Sequence, residues 1–281
     1  MRRAFFAFCL VGLGGAAQLS SSPAAAAPCT NPDALGVSRV LEVDIADAVA
    51  VGRVEFRGRL PLAKGEVVLT FDDGPRPGTT PAVLHALQAE CARATFFIIG
   101  KMAADHSALL REVEAAGHTI GTHTYAHLLD IKSRPPEEGI AAIDGGIRVI
   151  TEKLGHPPAP FFRFPGFIHT PEMLAHLADL HIAAFGADVV GDDWKRIGPD
   201  EVRARVMQRL HQREGGIIML HDTKRATAAM LPDLLRDLKL GGYHLVALVP
   251  ARAKPVPPGV NPNEVVGAIG AKAAQPTAKA P

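Results

Sequence analysis

Two aspartates, Asp72 and Asp73, close the apolar run Val67-Val68-Leu69-Thr70-Phe71, and Gly74-Pro75 follows at once. Such a run has the composition of a buried strand and Gly-Pro must end it, so both carboxylates stand at the strand's C-terminal tip. Further along, His123 and His127 are spaced so that a helix beginning there would bring both imidazoles to one face, one turn apart. Two imidazoles and a carboxylate from a neighbouring strand end form the donor set of catalytic zinc with open positions, the chemistry of which is to acidify water and polarise a carbonyl. Each signal is common by itself: strands often run into Asp-Gly turns, and a chain with 12 histidines produces surface pairs by accident.

The elements that must position these groups alternate regularly. Strand-like runs fall at Glu66 to Phe71, Ala94 to Ile99, His118 to Gly121, Phe161 to Phe164, Ile182 to Phe185, Gly216 to Leu220 and Tyr243 to Val249. Helical periods lie between them: Pro81 to Ala89 behind Thr80, Ala103 to Ala116, Pro136 to Leu154, Pro171 to Leu180, Pro199 to Arg213 and Thr227 to Leu240. Strand-helix alternation predicts an α/β fold on a parallel sheet, open or closed into a barrel, and a barrel carries its reactive groups at the strands' C-terminal ends. The titratable residues do recur at that rim. Asp72-Asp73 follow the first strand, His123 to His127 the third, Arg163-Phe164-Pro165-Gly166 close the fourth, Asp188 and Asp192-Asp193-Trp194 follow the fifth, and His221-Asp222 the sixth.

Taken in order, Thr70-Phe71-Asp72-Asp73-Gly74, His123-Thr124-Tyr125-Ala126-His127, Arg163-Phe164-Pro165, Asp193-Trp194 and Leu220-His221-Asp222 resemble the five motifs of the polysaccharide deacetylases, the NodB-like domain or carbohydrate esterase family 4. The resemblance runs from about Glu66 to Val249. It implies a distorted, incomplete (β/α) barrel of about seven parallel strands in a single catalytic domain. It also implies metal-dependent removal of N-acetyl groups from N-acetylglucosamine-containing polysaccharides or oligosaccharides, chitin-like or peptidoglycan. An O-acetyl esterase of the xylan type and a catalytically idle carbohydrate-binding relative are the alternatives.

Carried over by motif, the resemblance makes Asp73, His123 and His127 the metal ligands and Asp72 the general base. His221 becomes the acid for the departing amine, Arg163 the residue that holds the base, and Asp193 the carboxylate that steadies His221. Trp194 falls where the family walls the acetyl pocket, with Pro165, Gly166, Met219 and Leu220 as the other substrate-binding candidates. Zinc is the expected cation, with cobalt, nickel or manganese suited to the same donors. Three positions depart from the family pattern. Gly166 stands where an aromatic usually follows the proline, Val190 where an acid commonly precedes Asp193, so that Asp188 or Asp192 is left to fill that role, and Met219 lies two before the histidine.

The rest of the 281 residues carries no such chemistry. Arg2-Arg3, the apolar run Ala4 to Ala17 and the small residues to Ala27 read as a signal peptide (1–27), with an uncleaved anchor as the competing account, and imply export to the periplasm or outside the cell. Residues 28–64 form a lead-in whose Val40 to Asp44 and Val51 to Phe56 alternate like short strands covering an open end or edge of the 65–250 domain. Residues 251–281 form an Ala/Pro/Lys-rich flexible tail. Cys29 and Cys91 are a disulfide pair in an oxidising compartment, or two free buried thiols. A formal net charge of +1 points away from nucleic acid, and no other segment is long and apolar enough to stay in a membrane once the signal is removed. An N-acetylated glycan is the expected partner.

Overall fold

A strand covered on both faces must be apolar throughout, which is the pattern of Val67 to Phe71. The computed structural model describes residues 29–45 and 49–251; the signal peptide read at 1–27 and the tail from 252 lie outside the described residues. The strands are β1 (Arg39–Val43), β2 (Ala50–Val51), β3 (Glu66–Asp72), β4 (Thr95–Ile98), β5 (Thr119–Thr122), β6 (Phe161–Phe162), β7 (Ala183–Phe185), β8 (Val189–Val190), β9 (Gly216–His221) and β10 (His244–Pro250). The helices are α1 (Thr80–Ala89), α2 (Gly100–Asp105), α3 (Ser107–Ala115), α4 (Pro136–Leu154), α5 (Pro171–Asp179), α6 (Pro199–Arg213) and α7 (Arg225–Leu240).

Every strand pairing is parallel, as β-α alternation requires. From β3 the sheet runs through β4, β5 and β6 to β7 on one side and through β9 to β8 on the other. β7 and β8 belong to one chain segment, 183–190. Its first part pairs with β6 (Phe162↔Ala184) and its last with β9 (Val190↔Met219), so this single stretch closes the barrel. The seven strand-like runs of the sequence are all strands. The lead-in supplies both ends of the strand order: β1 pairs with β10, and β2 with β7.

The period of two sorts β3 cleanly. Val67, Leu69 and Phe71 enter the apolar layer between sheet and helices, whereas Val68 lies in a separate cluster with Phe97, Phe161, Phe185 and Ile217. Thr70 and Asp72 are therefore on the same face as Val68, inside the barrel.

Two expectations change, and one strand was missed. The helix expected over Ala103 to Ala116 begins at Gly100 and is broken at His106 (φ −132, ψ 44) into α2 and α3. The strand expected over Val51 to Phe56 stops after β2, where Gly52 turns to φ 108 and a side chain's Cβ would fall 2.5 Å from the Gly186–Ala187 backbone. β8 escaped notice because two residues carry no period.

Cys29 and Cys91 form the disulfide, with Cα atoms 5.5 Å apart and a sequence separation of 62. Asn31 Nδ2 donates to the Ala89 carbonyl (3.1 Å) and the Leu35 amide to Glu90 Oε2 (2.8 Å), so the lead-in is also pinned beside α1 without the bridge. Its loss thus acts chiefly through the freedom of the unfolded chain. Cys91→Ser is expected to lower unfolding free energy by about 2–4 kcal/mol in urea titrations of the oxidised protein, and wild type under reductant should match it.

Candidate active site

Asp72 ends the inward face of β3, and Asp73 turns to φ 76, a left-handed conformation that Asp tolerates better than most residues. Asp72 is buried, and its Oδ1 accepts from Arg163 Nη1 at 2.7 Å. Arg163 has no exposure at all. Its Nη1 also donates to Thr70 Oγ1 (2.7 Å), Nε to the Phe185 carbonyl (3.1 Å) and Nη2 to the Gly186 carbonyl (2.7 Å), and the Phe97 ring lies 4.3 Å from its guanidinium carbon. Burial raises the Asp72 carboxyl above its ordinary range, with the Arg163 and His221 charges pulling the other way.

Asp73 takes a different direction. Its Oδ1 lies 3.3 Å from His127 Nε2 and 3.6 Å from His123 Nε2, and it is buried with no hydrogen-bond donor. Donor atoms of the three residues all lie within 4.8 Å of one another. His123 Nδ1 is 2.7 Å from the Arg163 carbonyl, which can only accept, so the proton sits on Nδ1 and Nε2 presents a lone pair. Burial pulls the His123 imidazole down to about 3 despite the Asp73 charge, so it is neutral at ordinary pH. An orphaned carboxylate oxygen facing two imidazole nitrogens, one of them the His123 lone pair, fits a divalent cation.

The two histidines do not reach this point along a helix. Residues 123–130 form an irregular loop in which Thr124 (φ 60) and His127 (φ 55) are both left-handed, and the His127 amide donates to Thr124 Oγ1 at 3.1 Å. Neighbouring helices hold the loop: the Gly100 amide donates to the Thr124 carbonyl (2.9 Å), Lys101 to that of Tyr125 (2.9 Å), and Tyr125 to that of Ala142 (2.8 Å). A Cβ on Gly146 of α4 would sit 2.8 Å from the Thr124 carbonyl carbon, so glycine inside this helix admits the loop. The sequence signal for that contact was the Gly145-Gly146 pair, which is otherwise unfavourable within a helix.

His221 closes the opposite side. Its Nδ1 lies 2.7 Å from Asp193 Oδ1, while Asp193 Oδ2 accepts from the His221 amide (2.7 Å) and from Thr227 Oγ1 (2.5 Å). Nε2 is thereby aimed inward, 3.9 Å from Asp73 Oδ2. Burial alone would lower the His221 pKa, but the hydrogen bond and charge of Asp193, with Asp73 and Asp72 behind it, raise it above the ordinary imidazole value. Trp194 stands edge-on to His221 with centroids 5.7 Å apart and is 47% exposed, which makes it part of the mouth and not of the core.

Of the remaining candidates, Pro165 and Gly166 lie in a short 3₁₀ turn over Pro165–Phe167, with Gly166 at φ 57 beneath Leu129. Met219 faces inward with Ile217 and His221. Leu220 does not: it alternates outward into the layer under the helices, wholly buried, and is withdrawn from the substrate-binding group. Asp188 accepts from Arg53 Nε (2.9 Å) and the Ile217 amide (2.9 Å), and Asp192 is held by Lys195, Arg205 and Arg209. Neither bonds Arg163 or His221; the Phe185 and Gly186 carbonyls take the far side of the guanidinium instead. Sequence reasoning also passed over Thr70, Thr227 and Asp222, whose buried carboxylate accepts from Thr80 Oγ1 and packs against Gly74 Cα, where any side chain would collide with it.

A family profile described as polysaccharide deacetylase matches residues 60–185. The chain is 36% identical over 156 residues to a chitooligosaccharide deacetylase of Bradyrhizobium sp. (strain ANU 289), covering 56% of this chain and 70% of the relative. It is 28% identical over 191 residues to the peptidoglycan-N-acetylglucosamine deacetylase PgdA of Listeria monocytogenes, 67% of this chain but only 40% of that one. The solved structure of a peptidoglycan deacetylase from Bdellovibrio bacteriovorus superposes with a TM-score of 0.71 at 30% identity, over 82% of this chain and 63% of that one.

The Gly146 contact makes a local prediction. Gly146→Ala should raise intrinsic helix propensity yet displace Thr124, weakening the binding of an added divalent cation by about tenfold or more in competition titrations, as loss of a supporting contact does elsewhere. Gly155→Ala, at φ 87 and with open space around it, serves as the control that perturbs backbone alone.

Proposed function

The chain belongs to the polysaccharide deacetylase family, and on that basis we propose that it hydrolyses N-acetyl groups from N-acetylglucosamine-containing glycans, using a divalent cation held by Asp73, His123 and His127. One observation carries the reading. The orphaned Asp73 oxygen faces two imidazoles, with an Arg163-held carboxylate on one side and an Asp193-held imidazole on the other. Zinc suits the donors best, and when bound the cation lends Lewis acidity to the acetyl carbonyl and to the attacking water.

Asp72 and Asp73 divide the remaining work because their surroundings differ. Asp73 faces the imidazoles, whereas Asp72 keeps its negative charge against Arg163 and has a second oxygen outside that bond. Asp72 takes the proton from water as it attacks, aided by a pKa raised through burial. Gly166 offers its backbone N–H to the oxygen that gains charge, Trp194 walls the acetyl methyl, and Met219 lines the floor beneath it. His221 holds a proton on Nε2 and delivers it to the departing nitrogen. An amine is a poor leaving group without that proton, so the pairing of His221 with Asp193 favours amide over ester cleavage.

Export of the protein fits this substrate. The Cys29–Cys91 bridge belongs to oxidising compartments, and among the described residues no helix is long and apolar enough to cross a membrane.

Asp72→Asn should keep its zinc, measured by elemental analysis, while acetate release falls by about 10²–10⁴-fold. Loss of metal from that variant would exchange the roles of the two aspartates. The pH profile supplies a second test. His221 works protonated with a raised pKa, so activity is retained to higher pH than for a free imidazole and falls as pH rises through that value. Asp72 works deprotonated with a raised pKa, so activity falls as pH drops through a limb above the ordinary carboxylate range. Asp193→Asn should move only the alkaline limb of kcat/KM, and move it downward; an unmoved limb would remove His221 from the acid role.

A further inference from the structure

The turn that follows Arg163 is held in a costly shape. Gly166 (φ 57) and Phe167 (φ 58) are both left-handed, a conformation that a bulky residue such as phenylalanine seldom adopts and that persists only where neighbouring contacts enforce it. The Phe167 and Ile168 amides close the turn on the Phe164 and Pro165 carbonyls at 3.0 Å each, which leaves the Gly166 amide outside the turn's own hydrogen bonds. His169 clamps the far end. Its ring stacks on Phe164 with centroids 4.9 Å apart and lies 5.5 Å from that of Phe56, and its Nδ1 is 2.7 Å from Glu55 Oε1. Glu55 comes from the lead-in, ahead of the residues 60–185 that match the family profile. Only 3% of its side chain is exposed, and among the described residues neither oxygen accepts a well-aligned hydrogen bond. Burial pushes this carboxyl up to about 8 against the pull of the Arg163 and Lys132 charges, and burial together with Lys132 lowers the His169 imidazole. Near neutral pH an uncharged acid therefore meets an uncharged ring. An apolar side chain would fill this space at less cost, so a buried polar group this poorly satisfied calls for a functional reason. The same loop also backs the Arg163 cradle. The Gly186 amide donates to the Val51 carbonyl (2.6 Å) and the Val54 amide to that of Ala187 (2.8 Å), and a Cβ on Gly186, whose own carbonyl receives Arg163 Nη2, would sit 3.1 Å from Glu55 Cβ.

We propose that Glu55 is a positioning residue for the reaction, acting through His169 to fix the turn that offers the Gly166 amide to the acetyl oxygen. The inference rests on the deacetylase reading above and adds a residue to its machinery. The clasp between residues 55 and 169 ties a segment outside the family match to the loop after β6, so the lead-in, read from sequence as cover for an edge, becomes part of the catalytic frame. A donor aimed at an oxygen that gains charge only in the transition state acts on kcat and leaves substrate binding alone, and its effect depends on staying within hydrogen-bonding reach. Loosening the clasp lets the strained turn relax and carries the donor away.

Acetate release from the N-acetylglucosamine pentamer and from peptidoglycan strands is measured for wild type, Glu55→Ala, Glu55→Gln, His169→Phe and the double variant Glu55→Ala/His169→Phe. His169→Phe keeps a ring between Phe56 and Phe164 and removes only the nitrogens, so it cuts the clasp without emptying the stack. Glu55→Ala and His169→Phe should each lower kcat by about tenfold or more, with KM and the affinity for an added divalent cation unchanged. The double variant should cost no more than either alone, as two halves of one contact do. Glu55→Gln keeps the length and a donor for Nδ1 and should restore the wild-type kcat. Unchanged kcat in His169→Phe, additive losses, losses matched by a rise in KM, or a Glu55→Gln variant as slow as Glu55→Ala would each overturn the clasp. No acetate from either substrate with wild type would instead sink the deacetylase reading. Hydrogen exchange then decides the clasp by itself: the Phe167 and Ile168 amides should exchange faster in Glu55→Ala and His169→Phe than in wild type while those of β3 do not change, and unaltered exchange at 167 and 168 overturns it.

Discussion

A guanidinium with no exposure to water is the constraint on which the catalytic end depends. Removing a charge from water costs several kcal/mol even after relaxation, so Arg163 is tolerable only where other dipoles replace its hydration. The barrel supplies them from four directions: the Asp72 carboxylate, the Thr70 hydroxyl and the two carbonyls of Phe185 and Gly186, with the Phe97 ring alongside. The carbonyl of the same residue fixes the His123 tautomer. One side chain and its own backbone thus set the charge state of the carboxylate and the direction of an imidazole lone pair, which ties the two halves of the site to a single strand end.

Much of this arrangement was legible before any coordinate. The seven strands, the rim location of the acids and histidines and the Cys29–Cys91 bridge follow from period, turn chemistry and compartment, because each depends on residues close in sequence or on few alternatives. The His123–His127 pair was identified for the wrong local reason. Helical spacing and a kinked loop both bring residues four apart together, and it is the packing of Thr124 against Gly146 with the hydrogen bonds from α2 and to α4 that selects the second. Leu220 was misplaced because a motif names neighbours without naming faces, whereas strand alternation sends adjacent residues to opposite sides.

What the sequence hid is mostly backbone. The far side of the Arg163 guanidinium is taken by the Phe185 and Gly186 carbonyls, and main-chain oxygens have no sequence signature.

Segment 183–190 joins β6 to β9 and so draws the ring shut, and the carbonyls that receive Arg163 come from the middle of that same stretch. Ring closure and the dry lodging of the arginine are consequently one event. A barrel left open along 183–190 would take the Phe185 and Gly186 carbonyls away from Arg163 and loosen its hold on Asp72.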